Sequence, residues 1–441
     1  MAEIFVPELH IGQSKVWTEG SYHRYNVVRC GRRWGKTAML VAIAVSYATN
    51  KFKVPTAKRV IAGRVGIFTA QYRQYQEIFD ELEDLLGPLI KSSSRQEKRI
   101  VLKNGGKIDF WVTNDNKLAG RGRKYHVVLI DEGAFTKSPE MLSEVWPRAI
   151  KPTLVDYKGR AWVFSTPDGI DDENFFYALC HDPSLGFHEH HAPTSSNPYM
   201  PPDELAKIEK ETDPRVWLQE FLAQFVDWSK EALLDTNKWL VDGKPVPMPE
   251  TCDLIFAIAD TALKGGQEND GTGFVYFAYT YNYVAEPQLV IIDWDVTQIK
   301  GSLLPEYIPS VYQNLDRLSL LCKPRMGSGG VFMEDAAMGA ILLQKAETEE
   351  WDMKAIDSVL TGKGKDERAV MASGYHYMGK CKIAEPAFNK TVPFKNKEAN
   401  HLSRQVATFH LADKKAHKRA DDLLDCYLYG LIIAFGNGAA L

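Results

Sequence analysis

The chain has 441 residues, of which 45% are hydrophobic, 11% aromatic and 25% charged. These are globular proportions, and they exclude disordered, collagen-like and mucin-like sequences. Lys and Arg number 53 against 57 Asp and Glu, a formal charge of −4, which argues against static coating of nucleic acid but permits local basic patches. The length predicts two or three domains at roughly 100–200 residues each, each able to bury its own core. Cys30, Cys180, Cys252, Cys322, Cys381 and Cys426 lie far apart with no CxxC pair, as in a reduced intracellular protein. The opening MAEIFVPELH lacks the basic and apolar regions of a secretory signal. The apolar runs Met39–Ala48 and Cys426–Phe435 are about half the roughly 20 residues of a membrane helix. A soluble cytoplasmic protein with no membrane partner is expected.

In chain order, Tyr25–Arg29 reads as a strand and Ala38–Thr49 as a helix opening after a glycine-bearing turn. Arg59–Phe68, Lys107–Val112, Tyr125–Ile130 and Arg160–Phe164 read as further strands. The alternation predicts an α/β domain with a mainly parallel sheet, Val127–Ile130 being the continuous apolar run of a strand buried on both faces. From Pro201 to Val226 the pattern turns helical, with Leu205, Ile208, Trp217, Leu218, Phe221 and Phe225 at helix-like spacings. Three prolines in Asp242–Glu250 extend and stiffen a connection. The expected division is therefore a first domain over 1–228 with a helical closing segment near 201–228, a linker over 229–250, and a second domain over 251–441. There, strands at Leu254–Ala259, Gly273–Thr280 and Gln288–Trp294 suggest a meander, with Tyr281-Asn282-Tyr283 as a turn. A helix at Leu303–Leu315, a strand at Val331–Met333 and an apolar helix at Ala420–Phe435 follow.

Cys30-Gly31-Arg32-Arg33-Trp34-Gly35-Lys36-Thr37 lies between a strand and a helix, the context of a phosphate-binding loop. A tight turn there points backbone N–H groups at phosphates, and the helix N-terminus favours negative charge. Lys36 would reach the β- and γ-phosphates and the Thr37 hydroxyl would bind Mg²⁺; Cys30 replaces the usual first glycine. Val127–Ile130 runs into Asp131-Glu132, which places Asp131 beside Mg²⁺ and Glu132 where it can orient or deprotonate water. Arg160–Phe164 ends in Ser165-Thr166-Pro167, small hydroxyl residues in the crevice where open α/β sheets bind ligands, or a simple turn.

In the second half, Asp260 ends one apolar strand, Glu334 and Asp335 end another, and Asp421, Asp422 and Asp425 open the last helix. Carboxylates converging in this way cannot all stay ionised without a cation, and two divalent ions would clamp the attacking and leaving oxygens of a phosphodiester. Strand alternation puts only one of Glu334 and Asp335 on the site face, and Glu334 is preferred. Between the last two clusters Lys380, Lys382, Lys390, Lys395, Lys397, Arg404, Lys414, Lys415, Lys418 and Arg419 form a basic stretch suited to drawing in a DNA backbone.

Together these motifs resemble the large terminase subunit of tailed double-stranded DNA bacteriophages. CGRRWGKT is similar to that family's deviant Walker A, VVLIDEGA to its Walker B and STP to its coupling motif. APTSSNPYMPPDEL followed by WLQEFLAQF resembles its T-x-x-NP…QE stretch, and AIAD, FMEDAAMG, GKGKDERAV and RADDLLD resemble successive elements of its nuclease. The resemblance implies an ASCE-type P-loop ATPase followed by an RNase H-like, mixed-sheet nuclease. It also implies that ATP hydrolysis drives duplex DNA into a procapsid while a two-metal endonuclease cuts concatemeric DNA.

Residue by residue, it implies Arg32, Gly35, Lys36 and Thr37 on the phosphates, Gln13 on adenine, Asp131 on Mg²⁺ and Glu132 as catalytic glutamate. It further implies Arg121, or else Arg148, as an arginine finger acting on a neighbouring subunit, and Ser165 and Thr166 in coupling. Asp260, Glu334 and Asp422, with Asp421 as a substitute, would hold two Mg²⁺ or Mn²⁺ ions. The last acidic motif reads Ala420-Asp421-Asp422 rather than His-Asp-Asp, with His417 just upstream. Implied partners are duplex DNA, the portal protein, the small terminase subunit and further copies of the chain in a ring, a pentamer when docked, within the host cytoplasm.

Three other signals are set aside. Cys180, His181, His188, His190 and His191 invite a zinc site, but their spacing matches no common one, and a loop with incidental histidines is expected. Gly327-Ser328-Gly329-Gly330 is expected to be a flexible turn, and Phe274, Tyr276, Phe277 and Tyr279 to be sheet packing.

Overall fold

The computed structural model describes residues 8–55, 59–114, 118–136, 141–228, 232–261, 271–281, 288–299, 301–336, 338–395, 397–411 and 420–436. His417, Lys414, Lys415, Lys418, Arg419, Asn282 and Tyr283 lie outside them. The chain divides into two compact units, Met1–Ile208 with Pro214–Asp227, and Glu209–Asp213 with Trp228–Leu441.

In the first unit, an eight-stranded sheet runs in the order Phe187–Ala192, Tyr25–Cys30, Arg160–Ser165, Val127–Ile130, Arg64–Thr69, Lys107–Val112, Arg99–Leu102, Ile90–Ser94. The first six strands are parallel and the last two join antiparallel. The strand expected over Arg59–Phe68 is two strands, Val60–Ala62 and Arg64–Thr69, broken at Gly63. Gly63 passes so close to Tyr47 that a Cβ would lie 1.8 Å from its carbonyl oxygen.

Parallel strands need both faces covered, and the sequence supplies two apolar layers. Lys36–Thr49, apolar around most of its circumference, and Tyr72–Leu86 pack Met39, Leu40, Ile43, Tyr75 and Phe79 on one face. Trp146, Ile150, Leu154 and Phe176 cover the other. The sheet order inserts Arg160–Ser165 between the strand leading to the P-loop and the strand leading to Asp131. All three C-terminal ends therefore open at one edge, with Arg29 paired to Ser165 and Ile130 to Val163.

The second unit carries a six-stranded mixed sheet in the order Met353–Ala355, Ser328–Met333, Leu254–Thr261, Thr272–Tyr279, Leu289–Thr297, Cys381–Ile383. Its first five strands have the order and directions of an RNase H-like fold, a three-strand meander flanked by two parallel strands. The sequence stretch expected to be a turn at 327–330 begins the strand Ser328–Met333 instead. Period-two alternation splits the strand residues between the faces. Ile255, Ala257, Ala259, Phe274 and Tyr276 join Ile308, Val311, Leu315 and Leu318 of the helix Leu304–Cys322 in one core. The opposite face takes the helix Asp422–Phe435, with Gly430 seated on the Phe277 ring, where a Cβ would lie 2.3 Å away.

The segment expected to be a linker over 229–250 falls, through its described residues 232–250, in the second unit. Trp239 is fully buried and donates its indole N–H to the Tyr427 hydroxyl at 2.8 Å, and His376 meets the same hydroxyl at 2.7 Å. The aromatic content of this stretch outweighs its proline spacing.

Candidate active sites

Gly35 closes the P-loop with φ +97°, a left-handed conformation that glycine adopts without penalty. A Cβ there would lie 2.5 Å from the Gln13 amide nitrogen. Gln13, which is buried, donates that amide to the Gly35 carbonyl at 2.7 Å and accepts the His10 N–H at 2.9 Å. In this structure Gln13 therefore braces the turn that starts the helix at Lys36, and Thr37 follows in its first turn.

The loop is held from its other side by residues far downstream. Thr194 donates its hydroxyl to the Arg32 carbonyl at 2.6 Å, and Asn197 its amide to the Arg33 carbonyl at 2.8 Å. The Glu220 carbonyl takes the Arg32 N–H at 2.7 Å, and its carboxylate takes the Arg32 guanidinium. Gln219 accepts the Gly169 N–H at 2.9 Å, just beyond Thr166. The Thr194, Asn197 and Glu220 side chains thus form a cradle against the phosphate loop, with Gln219 bonded to the Glu220 carboxylate behind them, a role sequence spacing alone does not reveal.

Lys36 is salt-bridged to Glu132. Burial works against its charge, but Glu132, Cys30 and Asp131 outweigh it and hold the ammonium above its ordinary range. Burial, then the neighbouring Glu132, pushes the Asp131 carboxyl up to about 7. The Asp131 Oδ1 atom is buried with no hydrogen-bond partner, the condition a divalent cation would relieve. Glu132 sits at φ +50°, which for a residue with a Cβ costs about 1–2 kcal/mol. Ser165, fully buried, donates to Glu132 Oε2 at 3.3 Å and accepts the Ala134 N–H at 3.1 Å. Thr166 is buried beside it. Arg121 is exposed between Gly120 and Gly122, both left-handed, and Arg148 is exposed on the π-helical turn Trp146–Ile150.

The second unit gathers its carboxylates at one sheet edge. Asp260 pairs with Gly273, and Ala259 with Met333, so Asp260 and Glu334 end neighbouring strands. Val331 and Met333 face the core of Leu304–Cys322. Alternation therefore turns Glu334 to the face of the last helix, where the Tyr429 hydroxyl donates to it, and leaves Asp335 exposed. Burial first, then Asp425, Asp422 and Glu334, raise the Asp260 carboxyl well above its ordinary value.

The three aspartates of the last helix differ in their partners. Asp421 bonds to Lys365, and Asp425 pairs with Lys365 at 2.8 Å and Arg368 at 3.0 Å. Asp422 is pushed up to about 7, by burial and then Asp421, and its buried Oδ2 has no hydrogen-bond partner. Gln405 caps this helix by accepting the Leu423 and Leu424 N–H groups at 2.8 and 3.1 Å. No three of these carboxylate oxygens lie within 4.8 Å of one another among the described residues, and the Lys365 ammonium stands among them. Lys365 and Arg368 lie in GKGKDERAV, whose resemblance pointed to the nuclease without singling either out, and Tyr429, a tyrosine in an apolar helix, carries no site signal in the sequence.

Part of the basic stretch is used internally. Lys382 donates to the Lys238 carbonyl at 2.8 Å, and Lys390 pairs with Asp293 at 2.8 Å. Lys395 remains close enough to lower the Asp422 carboxyl against the effect of burial.

Residues 28–238 match the family described as terminase large subunit, T4likevirus-type, N-terminal. No curated protein matches the chain. Among solved structures, the large terminase of a thermophilic bacteriophage is 13% identical, covers 96% of this chain and 98% of its own, and superposes with a TM-score of 0.64. The same protein with ADP is 14% identical over 97% and 100% of the two chains, with a TM-score of 0.64. With ATP-gamma-S it is 15% identical over 96% and 99%, with a TM-score of 0.63. At such identities the likeness establishes the fold of both units. No helix among the described residues is long and apolar enough to cross a membrane.

Proposed function

This chain belongs, through residues 28–238, to the family of terminase large subunits, and on that premise we propose that it is a DNA-packaging motor carrying its own endonuclease. The observation that carries the proposal is the Lys36–Glu132 pair at the mouth of a braced P-loop, beside an Asp131 oxygen with no partner.

In the first unit, Arg32, Lys36 and the loop N–H groups would hold the triphosphate, with Thr37 and Asp131 as ligands of Mg²⁺. The metal would supply neutralisation of charge on the β- and γ-phosphates. Lys36 would exchange Glu132 for the γ-phosphate. The freed Glu132 carboxylate would then orient a water and accept its proton. Ser165, already on Glu132 and between the two motif-bearing strands, would register that exchange and pass it to the sheet. Arg121, on an exposed glycine-flanked turn, would reach the site of a neighbouring copy in a ring docked on the portal. The small terminase subunit would assist at initiation.

In the second unit, Asp260, Glu334 and Asp422 would hold two Mg²⁺ or Mn²⁺ ions, which would supply an activated water and stabilise the leaving oxygen of a phosphodiester. The unpartnered Asp422 Oδ2 fits that role better than Asp421, whose carboxylate is engaged by Lys365. Lys365 and Arg368 would hold Asp425 in place and keep the cluster from repelling itself before metal arrives.

The decisive experiment follows a labelled linear duplex with purified chain, ATP and procapsids. ATP-dependent protection of the duplex from nuclease, with no strand displacement on a forked substrate, is expected. Unwinding of the fork would instead make the protein a helicase with an appended nuclease.

A further inference from the structure

We propose that Glu19, His188 and His190 form a binding site for one divalent cation of the zinc class, made of residues that belong to neither carboxylate site. The strand Phe187–Ala192 places His188 and His190 two residues apart, hence on one face. The end of the helix Ile11–Gly20 brings Glu19 onto that face. The stretch expected to be a loop with incidental histidines is thus a strand that sorts them. His191, of opposite alternation, bonds to the Leu222 carbonyl at 2.8 Å, and His181 bonds to the Tyr177 carbonyl at 2.8 Å.

One ligand atom from each of the three residues lies within 4.8 Å of the other two. His188 Nε2 is 3.2 Å from Glu19 Oε1, and His190 Nδ1 is 3.7 Å from Glu19 Oε2. Metal bonds of about 2.0–2.1 Å in a tetrahedron set ligand atoms roughly 3.3 Å apart, and each histidine nitrogen stands near that separation from a Glu19 oxygen, the two rings on different oxygens of the one carboxylate.

The hydrogen bonds around His190 fix its tautomer. Asn26 donates its amide to the Gly20 and His23 carbonyls at 3.2 and 3.3 Å, so its oxygen must face His190 Nε2, 3.0 Å away. That oxygen only accepts, so His190 carries its proton on Nε2. Its Nδ1 is then a lone pair aimed at a carboxylate, two acceptors face to face in a side chain that is 2% exposed. A cation between the two relieves the conflict. An Nε2–H held by an amide oxygen is the outer contact that metal-binding histidines characteristically make. His23 stacks on His188 with centroids 3.7 Å apart and planes 6° apart, which fixes the second ring.

Two imidazoles and one carboxylate suit zinc better than Mg²⁺ or Ca²⁺, and the exposed Glu19 side leaves a fourth position to water. The ion would pin the helix bearing Gln13 to the edge strand that leads to Thr194.

The test uses the full-length, untagged chain after chelator dialysis, with Co²⁺ as an optical probe. The wild type and His181→Ala are expected to take up one Co²⁺ with the intense visible bands of four-coordinate cobalt, displaced by equimolar Zn²⁺. Glu19→Gln and His188→Ala, both changes at accessible side chains, should lose those bands. Oxygen-rich sites elsewhere give only the weak bands of six-coordinate cobalt. Zn²⁺ at about a hundredfold excess over its Kd should raise the wild-type Tm by roughly 5 °C more than that of either variant. Bands that persist in both variants, or a wild type that shows neither bands nor a Tm shift, would overturn the site and leave a plain His188–Glu19 ion pair.

Discussion

Thr194 donates its hydroxyl to the carbonyl of Arg32 at 2.6 Å, 162 residues upstream. The bond fixes a residue whose own N–H is held by the Glu220 carbonyl, so the peptides on both sides of Arg32 are tied to distant sequence. Thr194→Val keeps the shape and removes the donor. A part-buried carbonyl left without its partner costs about 1 kcal/mol, so the KM for ATP should rise roughly fivefold while metal-dependent DNA cleavage stays at the wild-type rate. Steady-state ATPase and plasmid-cleavage assays on one preparation check both.

Glu132, the carboxylate proposed to activate water, sits on a left-handed backbone. Glu132→Ala and Glu132→Gly should each lower ATP turnover by at least about a hundredfold. The glycine variant should be the more stable of the two by about 1 kcal/mol, because only it adopts φ +50° without strain. Chemical denaturation of the two variants measures the difference. Lys36→Ala should share the kinetic loss, and Asp260→Ala should abolish cleavage and spare ATP turnover.

Burial raises the Asp131 and Asp422 carboxyls to about 7 from an ordinary value of 3.8. Each then binds its proton more tightly folded than unfolded, so stability is greatest at low pH within this window and falls as pH rises from about 4 through about 7. Without divalent ions the Tm should decline across that interval. Mg²⁺ or Mn²⁺, which require the deprotonated carboxylates, should restore it at pH values above about 7. Asp422→Asn should flatten part of the decline and shrink the Mn²⁺ response, as read by calorimetry.

Lys365 pairs with Asp425 at 2.8 Å and also with Asp421. Lys365→Met removes a cation from a crowded acidic cluster. The metal-free Tm should fall by a few degrees, and Mn²⁺ should bind the second unit several-fold more tightly, because the ion takes over the counter-charge that the ammonium supplied. Mn²⁺ titration followed by paramagnetic relaxation tests this, and unchanged affinity would remove Lys365 from the site.

If Arg121 acts on a neighbouring copy, Arg121→Ala and Glu132→Ala should each be inactive alone, yet a mixture should recover part of the ATP turnover. Every interface that joins an intact Glu132 to an intact Arg121 is competent. Absence of recovery, with recovery for Arg148→Ala instead, would move the role to Arg148.

Much of this arrangement was legible where chemistry and periodicity coincide. Val127–Ile130 reads as a buried strand because four apolar residues leave no polar face, and Asp131 and Glu132 follow at its open end. Alternation separates Glu334 from Asp335 once a neighbour fixes which face Met333 occupies. What the sequence hid depends on distance along the chain. Glu19 belongs with His188 through packing of a helix on an edge strand, and Lys365 meets Asp425 only after the last helix docks. Prolines in Asp242–Glu250 suggested an extended, stiffened connection between domains, but Trp239 just upstream buries itself against Tyr427 within the second unit.

Gly273 lies opposite Asp260, and a Cβ on it would come within 2.9 Å of the Asp422 backbone. The smallest side chain at that position would lift the start of the last helix away from the strand, carrying Asp422, the proposed metal ligand, off while every carboxylate remains in the sequence. Screens for cleavage-dead mutants should therefore return changes at this silent position alongside those at the aspartates. A homologue that has traded it for a bulkier residue should be suspected of having lost the scissors and kept the engine.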